Sequence, residues 1–442
     1  MASRARALLA RVVDVRPEEL RALGWSLLYV FAVLSAYYVL RPIRDEMGVH
    51  AGVEKLPWLF TGTLIAMIAV NPLFSAVVKR LPRVRFIAAA YRFFSVNLLI
   101  FAGLFAIATP EQNVWLGRAF FIWVSVFNLF VVSVFWALMV DVFDSEQGKR
   151  LFGFLAAGAT LGAIAGSTLT SSLVREVGPT TLFFASIVLL EVAVLAVRRL
   201  SLLSAKLAQR PAEERLSEEQ PIGGGVLAGI SHTLRSPYLL NVCLFITLFT
   251  VTSTFLYFQQ AAIARDYFPD RGARTAFFAN VDLAVNVLTL GVQLFFTARI
   301  LRRFGVALTL SILPLFSVLG FAALAIAPTI AVIVAVQVLR RAANFALARP
   351  TRELLYTVIP REDKYKAKTF IDTVVYRAGD QIGSWSYVAL SSAGGLGIAG
   401  VALVAMPLSA LWAANALWLG FRQTRLARVN DGTRVTAIAT ER

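Results

Sequence analysis

Glu146-Gln147-Gly148-Lys149, followed by Gly162-x-x-x-Gly166-Ser167, recurs 217 residues later as Asp363-Lys364-Tyr365-Lys366 and Gly379-x-x-x-Gly383-Ser384. A shorter echo pairs Ile43-Arg44-Asp45 with Ala264-Arg265-Asp266. Chance produces either match alone; at corresponding places together they predict a duplicated chain. Around them, apolar runs fall at 20–41, 56–78, 86–108, 114–140, 151–174, 180–198, 238–262, 275–297, 306–327, 329–348, 369–392 and 396–420. Each is long enough to cross a bilayer, which takes about 20 apolar residues. The expected fold is an all-α membrane protein, twelve transmembrane helices in two pseudo-symmetric halves of six. The charged stretch 199–237, with Pro211, Pro221 and Gly223-Gly224-Gly225, divides the runs six and six. It reads as a linker containing a short surface helix. The expected boundaries are a tail at 1–22, a bundle at 23–198, the linker at 199–237, a second bundle at 238–420 and a tail at 421–442.

Composition agrees with that reading. The chain has 442 residues, of which 58% are hydrophobic and 16% charged, against roughly 25% charged in a soluble domain. With a mean hydropathy of +0.70, a soluble fold would expose more hydrocarbon than water tolerates. The net charge of +17 points either to nucleic acid or to membrane topology. Counted by alternate loops from an internal N-terminus, 31 Lys and Arg fall on one side and 7 on the other. That asymmetry is the positive-inside pattern, with both termini cytoplasmic. A nucleic-acid surface needs clustered basic residues interleaved with aromatics, and neither is present. Arginine outnumbers lysine 36 to 7, a usage associated with GC-rich bacteria, so the bacterial inner membrane is expected. The first run is too long for a signal peptide and lacks a small-residue cleavage site, so it reads as a retained helix.

Several chemistries are disfavoured. One cysteine, Cys243, allows no disulfide framework or CxxC metal site. Two distant histidines, His50 and His232, leave no metal cluster and no catalytic triad. No GxxxxGK[ST] pattern occurs, which disfavours ATP-driven pumping. Neither an enzyme nor a bound cofactor or metal is expected. Two parallel six-helix repeats are instead the architecture of major-facilitator-type carriers.

Charges inside spans are costly and mark a cavity or a partner. Arg41 and Arg44, three apart near the outer end of span 1, share a face. Two fixed guanidinium groups suit an anion; the alternative is a snorkelling pair with Asp45 and Glu46 as counter-ions. In span 10, Gln337, Arg341 and Asn344 follow i, i+4, i+7 and form a polar stripe, unless Arg340 and Arg341 simply reach the membrane surface. In span 11, Arg377 and Asp380 stand at i, i+3, where they neutralise each other or couple an ion. In span 8, Asp282 is a proton or counter-ion site, or the partner of an arginine on span 7 or 10. Gly158, Gly162 and Gly166, like Gly379 and Gly383, allow close helix approach.

Three stretches resemble one family, the ATP/ADP carriers of plastids and obligate intracellular bacteria. Leu40-Arg41-Pro42-Ile43-Arg44-Asp45 is similar to the end of their first helix. Phe135-Trp136, Glu146 to Lys149-Arg150 and Gly158-Ala159 resemble their helix 4–5 junction. Asn344 through Arg349-Pro350-Thr351-Arg352-Glu353-Leu354-Leu355-Tyr356, then Lys364, Lys366, Lys368, Ile371-Asp372 and Gly379, resemble their helix 10–11 signature. The resemblance implies a major-facilitator-like fold and nucleotide counter-exchange without hydrolysis. It places the family's basic residue of helix 1 on Arg44. Its acidic residue of helix 7 falls on Tyr257, that of helix 4 near Ser125, and a helix 11 lysine on Asp380. A phosphate site loses attraction where a lysine is replaced by an aspartate.

The expectation is a secondary transporter working by alternating access, with a site between the halves. Its partners are the bilayer and a small anionic solute of nucleotide type. The substrate-binding set is Arg41, Arg44, Tyr257 (as a stacking surface), Gln337, Arg341 and Asn344. Asp45, Asp282, Arg377 and Asp380 are the ion-coupling or charge-pairing set. Glu146 with Lys149, and Asp363 with Lys366, are expected to latch an inner gate. The alternatives are a proton-coupled or exchange carrier for another solute, and a non-transporting sensor or assembly factor.

Overall fold

A computed structural model describes residues 16, 19–80, 83–143, 145–207, 233–359, 367–368 and 370–440. Within these, side chains are described except at 71–80, 83, 145–146, 149, 204–207 and 430–440. The linker's proline and glycine positions, with its expected surface helix, lie outside the described residues.

The described chain is helical throughout its ordered elements. In order these are α1 (Leu20–His50), α2 (Leu56–Arg80), α3 (Arg83–Ile107), α4 (Pro110–Val142), α5 (Ser145–Val177) and α6 (Pro179–Leu207). After the linker come α7 (Pro237–Tyr267), α8 (Arg271–Phe295), α9 (Thr297–Ile326), α10 (Ile330–Leu354), α11 (371–393) and α12 (Ile398–Thr440). Among the described residues, eleven of these are long and apolar enough to cross a membrane. The exception is α11, which Asp372, Arg377, Asp380 and Gln381 make less apolar than the rest; π-turns at Ile371–Val375 and Ala389–Ala393 flank its α-helical middle. On α3, Phe93, Val96, Ile100, Leu104 and Ile107 are exposed in helical register, the stripe of a helix that faces hydrocarbon on one side.

The chain clusters into two compact units. The first holds Met1–Gly52, Gly62–Glu219 and Phe268–Asn286; the second holds Val53–Thr61, Gln220–Tyr267 and Val287–Arg442. The first part of α8 therefore packs with α1–α6, and the short stretch that opens α2 packs with α7–α12.

Within each unit the glycine stripes do matching work. Lipid tails are as apolar as leucine, so helices associate by close packing and hydrogen bonds. A Cβ on Gly162 would stand 2.5 Å from the Phe31 carbonyl oxygen, and one on Gly166 would collide with that of Ser35. That approach lets Ser35 Oγ donate to the Gly162 carbonyl at 2.9 Å. In the second unit, a Cβ on Gly379 would overlap Thr250, and one on Gly383 would come to 3.0 Å from Val251 Cα. So α5 seats on α1 as α11 seats on α7. The repeat seen in the sequence is a repeat of helix contacts.

Helix α10 carries a π-turn at Asn344–Ala348, just before Pro350. Proline has no N–H to give the carbonyl four residues back, that of Ala346. Thr297 Oγ1 supplies the missing donor at 2.9 Å, and Gln293 Nε2 reaches the Phe345 carbonyl at 3.3 Å. The irregular backbone is thus satisfied inside protein, as membrane burial requires.

Candidate functional site

The outer end of α1 concentrates charge in the first unit. Arg41, Asp45 and Tyr38 lie on one side of the helix, and Arg44 stands beside them. Arg44 turns back on its neighbour: Nε is 3.0 Å and Nη2 2.6 Å from Asp45 Oδ1. Its Nη1 reaches Ser125 Oγ at 3.4 Å, and its guanidinium lies 5.0 Å from the centre of the Phe121 ring. Arg41 Nη1 stands 3.5 Å from Asp282 Oδ1 on α8, and its Nε is 3.9 Å from Asp45 Oδ2. Tyr38 presents its ring 5.6 Å from the Arg41 guanidinium. Both aspartates are buried, while each arginine side chain keeps about one-sixth of its surface open (17% for Arg41, 15% for Arg44).

The four groups sum to zero charge. Asp282, by sequence a proton or counter-ion site or the partner of an arginine on span 7 or 10, pairs here with Arg41 on the first helix. Next to Asp45 in the chain, buried Glu46 holds two arginines of α8. Arg271 is bidentate at 3.1 and 3.0 Å, and Arg274 donates at 3.1 Å. Arg274 also donates to the Phe268 and Pro269 carbonyls at 2.9 and 3.1 Å, bracing the turn that leads into α8.

The second unit handles its charges differently. Arg340 is 3% exposed, and no carboxylate lies within ion-pair distance among the described residues. Hydroxyls solvate it instead: Ser317 Oγ at 2.8 Å, Ser253 Oγ at 2.9 Å and Thr252 Oγ1 at 2.8 Å. The Phe249 carbonyl accepts at 3.3 Å, and the Phe249 and Trp412 rings lie 5.6 and 5.7 Å away. Gln337 is buried with its amide donated to the Leu256 carbonyl at 3.1 Å. Arg341, about 100° around the helix from Arg340, is partly buried, and Asn344 sits at the start of the π-turn.

Tyr257 packs against Phe60 at 5.8 Å and Phe258 at 6.2 Å, with Trp58 edge-on to Trp385 at 4.9 Å nearby in sequence. Arg377 and Asp380 pair at 3.2 Å. The structure therefore brings Arg41, Arg44, Asp45 and Asp282 together. It holds Gln337, Tyr257 and the Arg377–Asp380 pair in separate contacts within the other unit.

The side chains of Glu146 and Lys149, and residues Asp363 and Lys366 entirely, lie outside the described residues. Their sequence neighbours Arg150 and Gln147 donate to Glu19, at the start of α1, at 2.8 and 3.0 Å. In the second unit Arg352 pairs with Asp372 at 3.7 Å, and Lys368 with Glu353 at 2.5 Å.

A family model for the Major Facilitator Superfamily matches residues 20–364. The chain belongs to the Major Facilitator Superfamily. Among curated relatives of this superfamily member is ADP,ATP carrier protein 1 of Chlamydia muridarum (strain MoPn / Nigg). It is 24% identical over 437 residues, covering 84% of this chain and 82% of the relative. A bacterial homologue of the iron transporter ferroportin, solved in an inward-facing state, aligns with a TM-score of 0.65 at 12% identity. That alignment covers 91% of this chain and 99% of the other. The nucleoside transporter NupG aligns with a TM-score of 0.57 at 14% identity, covering 93% and 99%. The resemblance to ATP/ADP carriers read from three motifs thus extends along most of the chain, and the superfamily fold is a transporter fold of two six-helix halves.

Proposed function

We propose that this superfamily member is an alternating-access exchange carrier for a nucleotide-like organic anion, with Arg41 and Arg44 as its anion-binding groups. The observation that carries the reading is the pair of partly open guanidinium groups set beside the rings of Tyr38 and Phe121. Guanidinium forks match phosphate oxygens, and aromatic faces offer a base a stacking surface. The match along the length of an ADP,ATP carrier supports the same class. In the absence of solute, Asp45 and Asp282 neutralise the two arginines; an incoming anion competes with these carboxylates for them.

The even balance of two arginines against two aspartates favours one rival, a proton-coupled carrier for another solute. Protonating Asp282 would free Arg41 much as an arriving anion would.

Reconstituted proteoliposomes separate the two. Vesicles loaded with ATP, ADP or other anions are expected to take up labelled nucleotide only against internal nucleotide, and Arg44→Ala abolishes this. Failure of every nucleotide to exchange through intact protein overturns the nucleotide reading. Uptake driven by an imposed pH gradient into empty vesicles supports the proton-coupled one. We also propose that both termini face the cytoplasm of a bacterial inner membrane, on the strength of 31 against 7 basic residues; reporter fusions at each loop test it.

A further inference from the structure

Where α12 leaves the membrane, the second unit holds two adjoining crevices that the transport reading does not use. Trp418 lies 20 residues into α12, roughly 30 Å along its axis at about 1.5 Å per residue, one hydrocarbon thickness from Ile398. Beyond it, Trp418, Arg422 and Arg425 follow i, i+4, i+7 and form one face. The first crevice, about 600 Å³, lies between this face, Tyr238 at the start of α7, and Val358 and Ile359 just past α10. The second, also about 600 Å³, shares Phe421 and Arg425 with the first and adds Arg428.

The walls are fixed. Tyr238 Oη donates to the Leu355 carbonyl at 2.8 Å, tying α7 to the end of α10. Asn415 Nδ2 donates to the Asn241 carbonyl at 2.9 Å, tying α12 to α7. The arginines are uncommitted: among the described residues, Arg422, Arg425 and Arg428 make no hydrogen bond and no ion pair. Trp418 and Phe421 keep 43% and 64% of their surface open, at a depth where an aromatic ring sits between headgroup and acyl chain.

We infer that these crevices bind an anionic phospholipid, with Arg422 and Arg425 on the phosphodiester and Trp418 and Phe421 against the first acyl carbons. The chemistry selects the occupant. Unpaired arginines beside apolar walls at the membrane surface offer sites for phosphate oxygens and hydrocarbon together. Two crevices sharing Arg425 suit a headgroup with two phosphates, so diphosphatidylglycerol is bound more tightly than phosphatidylglycerol. Neutral phosphatidylcholine leaves the arginines without a net negative partner.

The test uses the full chain purified in neutral detergent. It is titrated with diphosphatidylglycerol, phosphatidylglycerol, phosphatidylcholine or inorganic phosphate, and followed by thermal unfolding and native mass spectrometry. Diphosphatidylglycerol is expected to raise the Tm and survive as an adduct. Arg422→Gln with Arg425→Gln weakens its apparent affinity about thirtyfold, and Arg425→Gln alone about fivefold. Arg299→Gln with Arg302→Gln, which removes equal charge from the exposed start of α9, leaves it unchanged. As a second readout, lipid with brominated chains quenches the emission that Trp418→Phe removes, and does so less in the arginine variants. Equal binding of phosphatidylcholine, unchanged affinity in the double variant, or displacement by millimolar inorganic phosphate would each overturn the proposal.

Discussion

Arg44 with Asp45 on α1, and Arg265 with Asp266 one helical turn further along α7 than the 217-residue repeat would set them, make the same bond. Nε meets Oδ1 at 3.0 Å in the first and 2.9 Å in the second. Their surroundings differ. Asp45 is buried and shared with Arg41, and Ser125 and Phe121 close around Arg44. The α7 pair stands in the open, with side chains 47% and 62% exposed. The same three-residue motif thus yields a charge cluster in one repeat and a surface ion pair in the other. Burial decides which, and burial comes from the helices packed around the motif.

The largest effect that tests this contrast is Asp45→Asn. It removes the main counter-ion of Arg44 and a second one of Arg41, leaving positive charge buried. The loss is about 3 kcal/mol, together with loss of exchange in proteoliposomes. Asp266→Asn, the same change in the α7 pair, is expected to cost at most about 1 kcal/mol and to leave exchange intact. Unfolding midpoints of the two purified variants give the comparison directly. Equal losses would break it.

Glu46→Gln ranks next. One buried carboxylate holds Arg271 and Arg274 together with the turn into α8, and a neutral amide cannot satisfy both. A loss of about 2 kcal/mol is expected, moderated because Arg271 still reaches water. Cysteine labelling placed in the Phe268–Arg274 turn should quicken in the variant if that turn loosens; unchanged labelling would assign Glu46 a lesser part.

Arg340→Lys sharpens the contrast from the other unit, where a buried cation lives among hydroxyls without a carboxylate. A lysine offers three donors from one point and cannot span Ser317, Ser253 and Thr252 as a planar fork does. The expected loss is about 1 kcal/mol, one or two hydrogen bonds, read as a lower unfolding midpoint. A loss as large as that of Asp45→Asn would mean that hydroxyl solvation counts for more here than ion pairing.

The fold was largely legible because it rests on short-range signals. Apolar runs of bilayer length, and glycines spaced at four on two spans, are visible without knowing any partner. The contacts of Gly162 with Phe31 and of Gly379 with Thr250 repeat across the two units as the repeated residues do. The candidate site was legible only in part. Arg41 and Arg44 announced themselves as charges inside a span, but Glu46 finds its arginines 225 and 228 residues away, a distance no local pattern encodes. On α10, adjacent Arg340 and Arg341 differ by about 100°, so spacing alone allows either to turn inward. A usable signal was present in Thr250-Val251-Thr252-Ser253-Thr254: a run of hydroxyls inside an apolar span foretells a buried polar guest, and Arg340 is that guest.

The smallest expected effect concerns pH at the opposite end of α1. Burial raises the cost of ionising Glu19, but hydrogen bonds from Arg150, the Arg16 backbone N–H and Gln147 outweigh it and hold its pKa below the usual value. A carboxylate depressed in the folded state stabilises most above its unfolded pKa, about 4.3, and that contribution is lost as pH falls through the folded value. The tie between α1 and α5 is therefore constant from pH 7 to 5 and weakens only below about pH 4. Glu19→Gln should lower the unfolding midpoint by the same small amount at pH 7 and pH 5, and the gap should narrow in more acid buffer. A gap that already closes between pH 7 and 5 would mean that Glu19 takes up its proton above the usual carboxylate range. Arg150 would then be a packing contact for α1, and its charge would contribute little.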